Sequence, residues 1–113
     1  KVRPATDVAS AQQVLGEVRG RICLIVDDMA STGGTLAEAA QTLTRAGATE
    51  VHGLFVHAVM ATGAGERLRA SPLGRLLTTD SVPAPAMDGL EVVSLAPLLA
   101  AAISRLSAAE KIL

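Results

Sequence analysis

With 113 residues, the chain is long enough for one domain with a modest core and too short for two. Half of its residues are hydrophobic and its mean hydropathy is +0.42, which excludes an intrinsically disordered chain. Only 1% of the residues are aromatic and the net charge is −1, so the composition argues against binding of nucleic acid and of anionic membranes.

The single cysteine, Cys23, cannot form a disulfide within the chain, and its place in an apolar run predicts a buried, inert thiol. No apolar run approaches the roughly 18 residues that a membrane-spanning helix needs. The first residues also lack the apolar stretch of a secretion signal. We therefore expect a cytoplasmic protein, and the lack of an initiator methionine favours a fragment or a processed product.

Apolar periodicity divides the chain into alternating strands and helices. Residues 7–18 are compatible with a short helix or an irregular connection. Residues 21–28 are predicted to form a strand, and the continuous apolar run within it predicts that both faces are covered. Further strands are predicted over residues 50–58, 75–79 and 91–94, and helices over residues 35–46 and 64–70. This alternation implies right-handed parallel crossovers, so we predict an α/β fold with an open, mostly parallel sheet and flanking helices.

Several single residues refine these predictions. Gly47 is a C-cap candidate for the helix over residues 35–46, and Gly53 marks a point of close backbone approach within a strand. Ser94 is the predicted N-cap of a final helix, which tolerates Pro97 in its first turn. One apolar stripe at helical spacing runs along that helix, formed by Leu95, Leu98, Leu99, Ala102, Ile103 and Leu106.

Two adjacent acids end the first predicted strand. Open α/β sheets bind ligands beyond the carboxyl ends of their strands, which is where Asp27 and Asp28 lie. A carboxylate only accepts hydrogen bonds, so a vicinal diol with its two donors suits the pair. Because adjacent strand residues face opposite ways, both acids can meet one ligand only if the strand is already breaking into the loop.

A small, hydroxyl-rich turn follows the acids and opens a helix. Small residues let backbone N–H groups approach a bound group closely, and a helix N-terminus favours an anion by roughly 0.3–1 kcal/mol. The turn contains no lysine or arginine, so we expect backbone and hydroxyl groups to recognise a phosphate. The predicted phosphate-binding residues are Ser31, Thr32, Gly33, Gly34 and Thr35.

Other interpretations of this turn stay open. Aspartate and threonine also cap helices without binding a ligand, although two glycines, three hydroxyls and two acids exceed what a cap requires. A P-loop would need a lysine that is missing here, and the G-x-G-x-x-G pattern is absent. A phospho-accepting receiver domain could use the paired acids but has no need of the glycine-hydroxyl turn.

Residues 26–36 resemble the phosphoribosyl-diphosphate (PRPP) binding motif shared by phosphoribosyltransferases and PRPP synthetases. The flanking sequence favours the synthetases, because Lys-Val-Arg-Pro at residues 1–4 is similar to their flexible catalytic loop. Further stretches match the same family in order along nearly the whole chain, at residues 16–20, 37–48, 56–58, 79–83 and 95–100.

This resemblance implies a type I phosphoribosyltransferase-like fold over residues 7–113, forming the C-terminal half of a longer enzyme and inactive alone, with residues 1–6 as a remnant of the mobile catalytic loop. The family transfers diphosphate from MgATP to the 1-hydroxyl of ribose 5-phosphate, giving PRPP, and assembles as homo-oligomers. The implied catalytic residues are Lys1 and Arg3, which would stabilise the diphosphoryl group. Asp27 and Asp28 would hold the ribose 2- and 3-hydroxyls, with Mg²⁺ nearby, and the turn would hold the 5-phosphate.

Two alternatives within the superfamily are a nucleobase phosphoribosyltransferase and a non-catalytic regulatory homologue of the synthetase. Many family members carry aspartate at the position of Ser31, where it serves as a candidate base in transferases, and its absence here weakens the transferase interpretation. The intact acids and glycines argue against the regulatory homologue.

Other polar residues carry weaker signals. His57 and Asp80 end predicted strands on the ligand side, where each could line the pocket or serve only the structure. His52 is predicted to lie on the surface. Arg67 and Arg69 do not share a helix face and are predicted to be solvated, with an effector or subunit contact as the alternative.

Overall fold

The structure is a computed structural model that describes residues 14–109. Four strands and three helices follow one another along this part of the chain. In chain order they are β1 (Ile22–Ala30), α1 (Gly34–Arg45), β2 (Glu50–Ala58), α2 (Ala64–Ala70), β3 (Leu76–Thr79), β4 (Leu90–Val93) and α3 (Ala96–Ala108).

The four strands form one parallel sheet whose strand order follows the chain, β1-β2-β3-β4. Helix α1 connects β1 to β2 and packs against both, and α2 connects β2 to β3 and packs against α1. Both helices therefore lie on the same face of the sheet. The predicted α/β fold with a parallel sheet and flanking helices is confirmed.

The core lies between this face and the two helices. Along β2 the burial alternates, so that Val51, Gly53 and Phe55 point towards the helices. Gly53 confirms the predicted close approach, because a Cβ atom there would lie 3.3 Å from Cδ2 of Leu76. The buried core cluster consists of Ala30, Leu36, Phe55, Ala58, Leu68 and Leu76.

The opposite face of β1 is open, contrary to the prediction that the strand is covered on both faces. Ile22, Leu24 and Val26 are 66%, 57% and 65% exposed, because within residues 14–109 both packed helices lie on the other side. Cys23 points towards the helices but is only half-buried, so the predicted full burial of its thiol is also wrong. An apolar run shows that a strand is apolar on both faces. Whether both faces are buried depends on which neighbouring elements pack against them.

Helix α1 ends as predicted from Gly47. This residue has φ +103° and follows the C-cap Ala46. The N–H of Gly47 donates to the Thr44 carbonyl at 3.1 Å, and the N–H of Ala48 donates to the Leu43 carbonyl at 3.1 Å. These two hydrogen bonds form a Schellman motif, in which the left-handed residue is a glycine because a Cβ atom would be disfavoured there.

The N-cap of helix α3 lies one residue later than predicted. The N-cap is Leu95 rather than Ser94, and the N–H of Leu95 donates to Oδ1 of Asp80 at 2.8 Å. Ser94 instead accepts from the N–H of Ala96 at 3.1 Å. Pro97 lies in the first turn as predicted. Every residue of α3 is exposed, including the stripe residues within it, whereas Leu95 at the start of the stripe is half-buried. No helix within residues 14–109 is both long enough and apolar enough to cross a membrane.

The remaining predicted boundaries are close to the observed ones. Helix α2 and strand β2 have the predicted bounds, and β3 starts one residue later than predicted. Helix α1 and strand β4 each lie one residue earlier than predicted at both ends. Residues 14–18 of the uncertain segment are not helical, and residues 7–13 lie outside the described part of the chain.

The start of α3 should respond to acid through Asp80. The hydrogen bond from the Leu95 N–H, and next that from Ser94, hold the pKa of this carboxyl below its ordinary value of 3.8. A lowered pKa in the folded state stabilises the fold above the unfolded-state pKa, and this contribution is lost as the pH falls through the lower, folded-state value. We expect the Leu95 amide resonance to titrate below pH 3.8. Asp80→Asn should abolish this titration and Asp88→Asn should leave it unchanged.

Candidate functional site

The two acids lie at the carboxyl end of β1. The strand continues past them to Ala30, so the predicted break at the acids is not observed. The pairing with β2 nevertheless steps from Asp27 to Met29, and the N–H of Asp28 donates to Oδ1 of Asp27 at 2.8 Å. Asp27 is half-buried and Asp28 is exposed, yet both residues line the same cleft.

This cleft has a volume of about 140 Å³. Small-molecule pockets generally start at about 300 Å³, so this one can enclose a phosphoryl group or part of a sugar but not a nucleotide. Among the predicted site residues, Gly34 does not line it, and Lys1 and Arg3 lie outside the described residues. The lining residues are Asp27, Asp28, Met29, Ala30, Ser31, Thr32, Gly33, Thr35 and Leu36.

The loop between β1 and α1 turns sharply at Gly33, the N-cap of the helix. Gly33 has φ +82°, in the left-handed region, and its carbonyl accepts from the Ala37 N–H at 3.0 Å. Thr32 Oγ1 accepts from the Gly34 N–H at 3.2 Å, so this hydroxyl can still donate its own proton to a ligand. The first turn of α1 is uncharged, which leaves the positive end of the helix dipole available to an anion.

Gly33 is also confined by its neighbours. A Cβ atom at this position would lie 3.0 Å from Cγ of Leu68 and 3.3 Å from the Ala64 carbonyl oxygen. Leu68 is fully buried in the core, so it has little room to move. Both the dihedral angle and the packing therefore require glycine here.

The loop rests on α2 and on the connection that precedes it. Arg67 of α2 donates from Nη1 to the Thr32 carbonyl oxygen at 2.7 Å. Arg67 is exposed, as predicted, but the sequence analysis did not predict its contact with the loop. No local sequence signal could have found this contact, because the two residues are 35 positions apart and meet only through the packing of α2 beside the loop.

Three other polar residues have structural partners. His57 Nδ1 lies 2.8 Å from Ser81 Oγ, at the carboxyl end of β2. Asp80 holds the start of α3, as described above, and lies outside the lining of the cleft. The His52 side chain is only 21% exposed, and its Nδ1 accepts from the Arg75 N–H at 2.8 Å, so the predicted surface position is wrong.

The paired acids could contribute to a magnesium site. Within residues 14–109, no group of three or more histidine, cysteine, aspartate or glutamate side chains could hold a metal ion. Two carboxylates at the mouth of an open cleft nevertheless fit Mg²⁺, which proteins usually hold through one or two carboxylates, with water and substrate phosphates as the other ligands.

Comparison with known proteins decides the family. Residues 5–112 match the family described as "Phosphoribosyl synthetase-associated domain". The chain belongs to this family. The predicted resemblance to PRPP synthetases is thus confirmed at the level of the family.

Members of the phosphoribosyl synthetase family with curated names are similar over nearly the whole chain. Ribose-phosphate pyrophosphokinase from Bordetella pertussis is 41% identical over 99% of this chain, and that from Burkholderia pseudomallei is 39% identical over 100%. The match covers 37% of each relative. A crystal structure of phosphoribosylpyrophosphate synthetase from Mycobacterium smegmatis has a TM-score of 0.75 and 35% identity, covering 81% of this chain and 32% of that one. The chain thus spans about a third of these relatives.

Proposed function

We propose that this chain is the ribose 5-phosphate-binding domain of a ribose-phosphate pyrophosphokinase, corresponding to the C-terminal part of the longer enzyme. The observation that carries the proposal is the pairing of two carboxylates with a phosphate-sized loop in one cleft at the carboxyl end of β1. The name of the curated relatives, ribose-phosphate pyrophosphokinase, supports the same reaction class. The reaction that the resemblance implies is the transfer of diphosphate from MgATP to the 1-hydroxyl of ribose 5-phosphate.

Each half of the cleft suits one half of the substrate. The exposed carboxylate of Asp28 and the free oxygen of Asp27 accept hydrogen bonds, so they would take the ribose 2- and 3-hydroxyls. The amide groups of the loop and the Ser31 and Thr32 hydroxyls would donate to the 5-phosphate. Holding both ends fixes the sugar so that its 1-hydroxyl can face the phosphoryl donor.

Two further parts of the site are proposals from the family. Mg²⁺, held through Asp27 and Asp28 together with water and substrate oxygens, would neutralise negative charge on the diphosphoryl group. Lys1 and Arg3 would add positive charge to the same group. Most of the ATP-binding residues would lie in the remainder of the longer enzyme, which would act as a homo-oligomer.

Calorimetry with three ligands tests the proposal. We expect ribose 5-phosphate to bind more tightly than inorganic phosphate, and ribose to bind more weakly than either, because only the sugar phosphate engages both halves of the cleft. The absence of heat at millimolar ribose 5-phosphate would contradict the proposal and favour a regulatory homologue. Tighter binding of PRPP in the presence of a nucleobase would instead favour a phosphoribosyltransferase.

A further inference from the structure

The carbonyl groups of the loop after β1 face the connection between β2 and α2. The Ala30 carbonyl accepts from the Met60 N–H at 2.9 Å, and the Ser31 carbonyl accepts from the Ala61 N–H at 2.8 Å. These two hydrogen bonds fasten two successive peptide groups of the loop to the backbone of its neighbour. They depend on main-chain atoms alone, so no substitution other than proline removes them directly.

The third carbonyl, that of Thr32, is held differently. Its partner is the Arg67 guanidinium, which reaches it from the side of α2 at 2.7 Å. The next residue in the loop, Gly33, packs on Leu68 of the same helix. The Arg67 side chain thus binds the third carbonyl of the loop, whereas backbone N–H groups of the connection bind the first two.

This pattern fixes the direction of the amide groups. In a trans peptide the C=O of one residue and the N–H of the next point in opposite directions. Two of these carbonyls face the connection and the third faces Arg67 of α2, so the N–H groups of Ser31, Thr32 and Gly33 point away from these partners. Within residues 14–109, no protein acceptor takes a hydrogen bond from these three groups. They are unpaired donors beside the cleft that the same residues line.

The supporting connection is itself held in an unusual conformation. Met60 has φ +48°, and it is the one residue other than glycine with a positive φ within residues 14–109. A methionine in this region costs free energy and persists only where its surroundings hold it. The Met60 side chain packs against the core cluster, and its N–H is the donor to Ala30. The packing of Met60 therefore holds the connection in the conformation that places its N–H group against the loop.

We propose that Arg67 is a positioning residue of the phosphate loop, an inference that rests on the proposed binding of ribose 5-phosphate. By holding the Thr32 carbonyl, Arg67 keeps the following peptide turned so that the Gly33 N–H faces the phosphate. Without this partner the peptide can rotate and bring the carbonyl oxygen, which repels a phosphate, towards the cleft. Arg67 acts through the peptide group, and its own charge is screened by solvent because the residue is exposed.

Ligand binding by variants of the full chain tests this role. For Arg67→Met we expect about 10-fold weaker binding of both ribose 5-phosphate and inorganic phosphate, the usual scale for losing a hydrogen bond to a charged group. Arg67→Lys, which keeps one donor, should recover most of the affinity. Arg69→Met is the matched control, because it removes the same charge from the same helix without touching the loop, and it should bind within about twofold of the unchanged chain.

Three readouts separate positioning from charge and from stability. The loss in Arg67→Met should persist in 0.5 M salt, with a Debye length of only about 4 Å, and the phosphate-induced shift of the Gly33 amide resonance should shrink. Thermal melting should stay unchanged, because Arg67 is exposed. A loss that vanishes in high salt, or an Arg67→Met affinity equal to that of Arg69→Met, overturns the inference while the proposed function stands. If the unchanged chain binds no ribose 5-phosphate, the proposed function fails and the inference fails with it.

Discussion

Replacing Gly33 with alanine is expected to lower the free energy of unfolding by about 3 kcal/mol, as the sum of a left-handed backbone and an overpacked contact. The backbone has φ +82°, and the new Cβ atom would lie 3.0 Å from Cγ of the fully buried Leu68. Relief of this contact would shift the loop away from α2. We therefore also expect binding of ribose 5-phosphate to be lost in calorimetry. The stability change is measured by urea denaturation.

Gly63→Ala is the matched control for this prediction. Gly63 has a similar φ of +87°, but a Cβ atom there meets no heavy atom within 4 Å. Its substitution should cost only the backbone contribution, about 1–2 kcal/mol. A second test adds Leu68→Ala to Gly33→Ala, which should cost less than the sum of the two single changes because the contact is gone. Equal losses for Gly33→Ala and Gly63→Ala would show that Leu68 does not confine the loop.

Replacing Asp28 with asparagine is expected to weaken the binding of ribose 5-phosphate by about 30-fold, within the range for hydrogen bonds to a charged group. The change removes the charge and nearly preserves the shape of an exposed side chain, so stability should be unaffected. Inorganic phosphate should respond in the opposite sense and bind slightly more tightly, since it loses a repelling carboxylate near the loop. Calorimetry with both ligands measures the two effects.

The opposite responses make the assignment of the two halves of the cleft testable. Asp88→Asn, in an exposed turn outside the cleft, is the control and should leave both affinities unchanged. If Asp28→Asn weakens inorganic phosphate as much as ribose 5-phosphate, the acid supports the loop and does not hold the sugar. That result would keep the proposed phosphate site but contradict the assignment of Asp28 to the ribose hydroxyls.

Local sequence patterns predicted the ends of helices and strands well where a characteristic residue, such as a glycine, lies at the end. The strand over residues 50–58 and the end of α1 at the glycine that follows it were both predicted. The cap of α3 was predicted at Ser94, whereas the N-cap is Leu95, whose N–H donates to Asp80, 15 positions earlier in the chain. Capping rules consider only neighbouring residues, so a distant acceptor escapes them.

The sequence could not predict which apolar faces are covered, nor which distant residues are in contact, for the same physical reason. Periodicity shows which residues share a face, but it does not show whether another element covers that face, so the exposure of Leu24 and of the α3 stripe was not predicted. For the site, composition and spacing brought the acids and the loop together. They could not reveal Arg67, because its role depends on where α2 packs.

The turn is anchored through its peptide groups, so the side chain of residue 31 can be exchanged without removing the anchor. The Ser31 carbonyl is bound by the Ala61 N–H, and the side chain itself is exposed. An exchange at this position, between a hydroxyl and a carboxyl group for instance, leaves the anchored amides where they are. In a loop anchored in this way, the side chain at residue 31 can change while the backbone hydrogen bond to the Ala61 N–H stays in place.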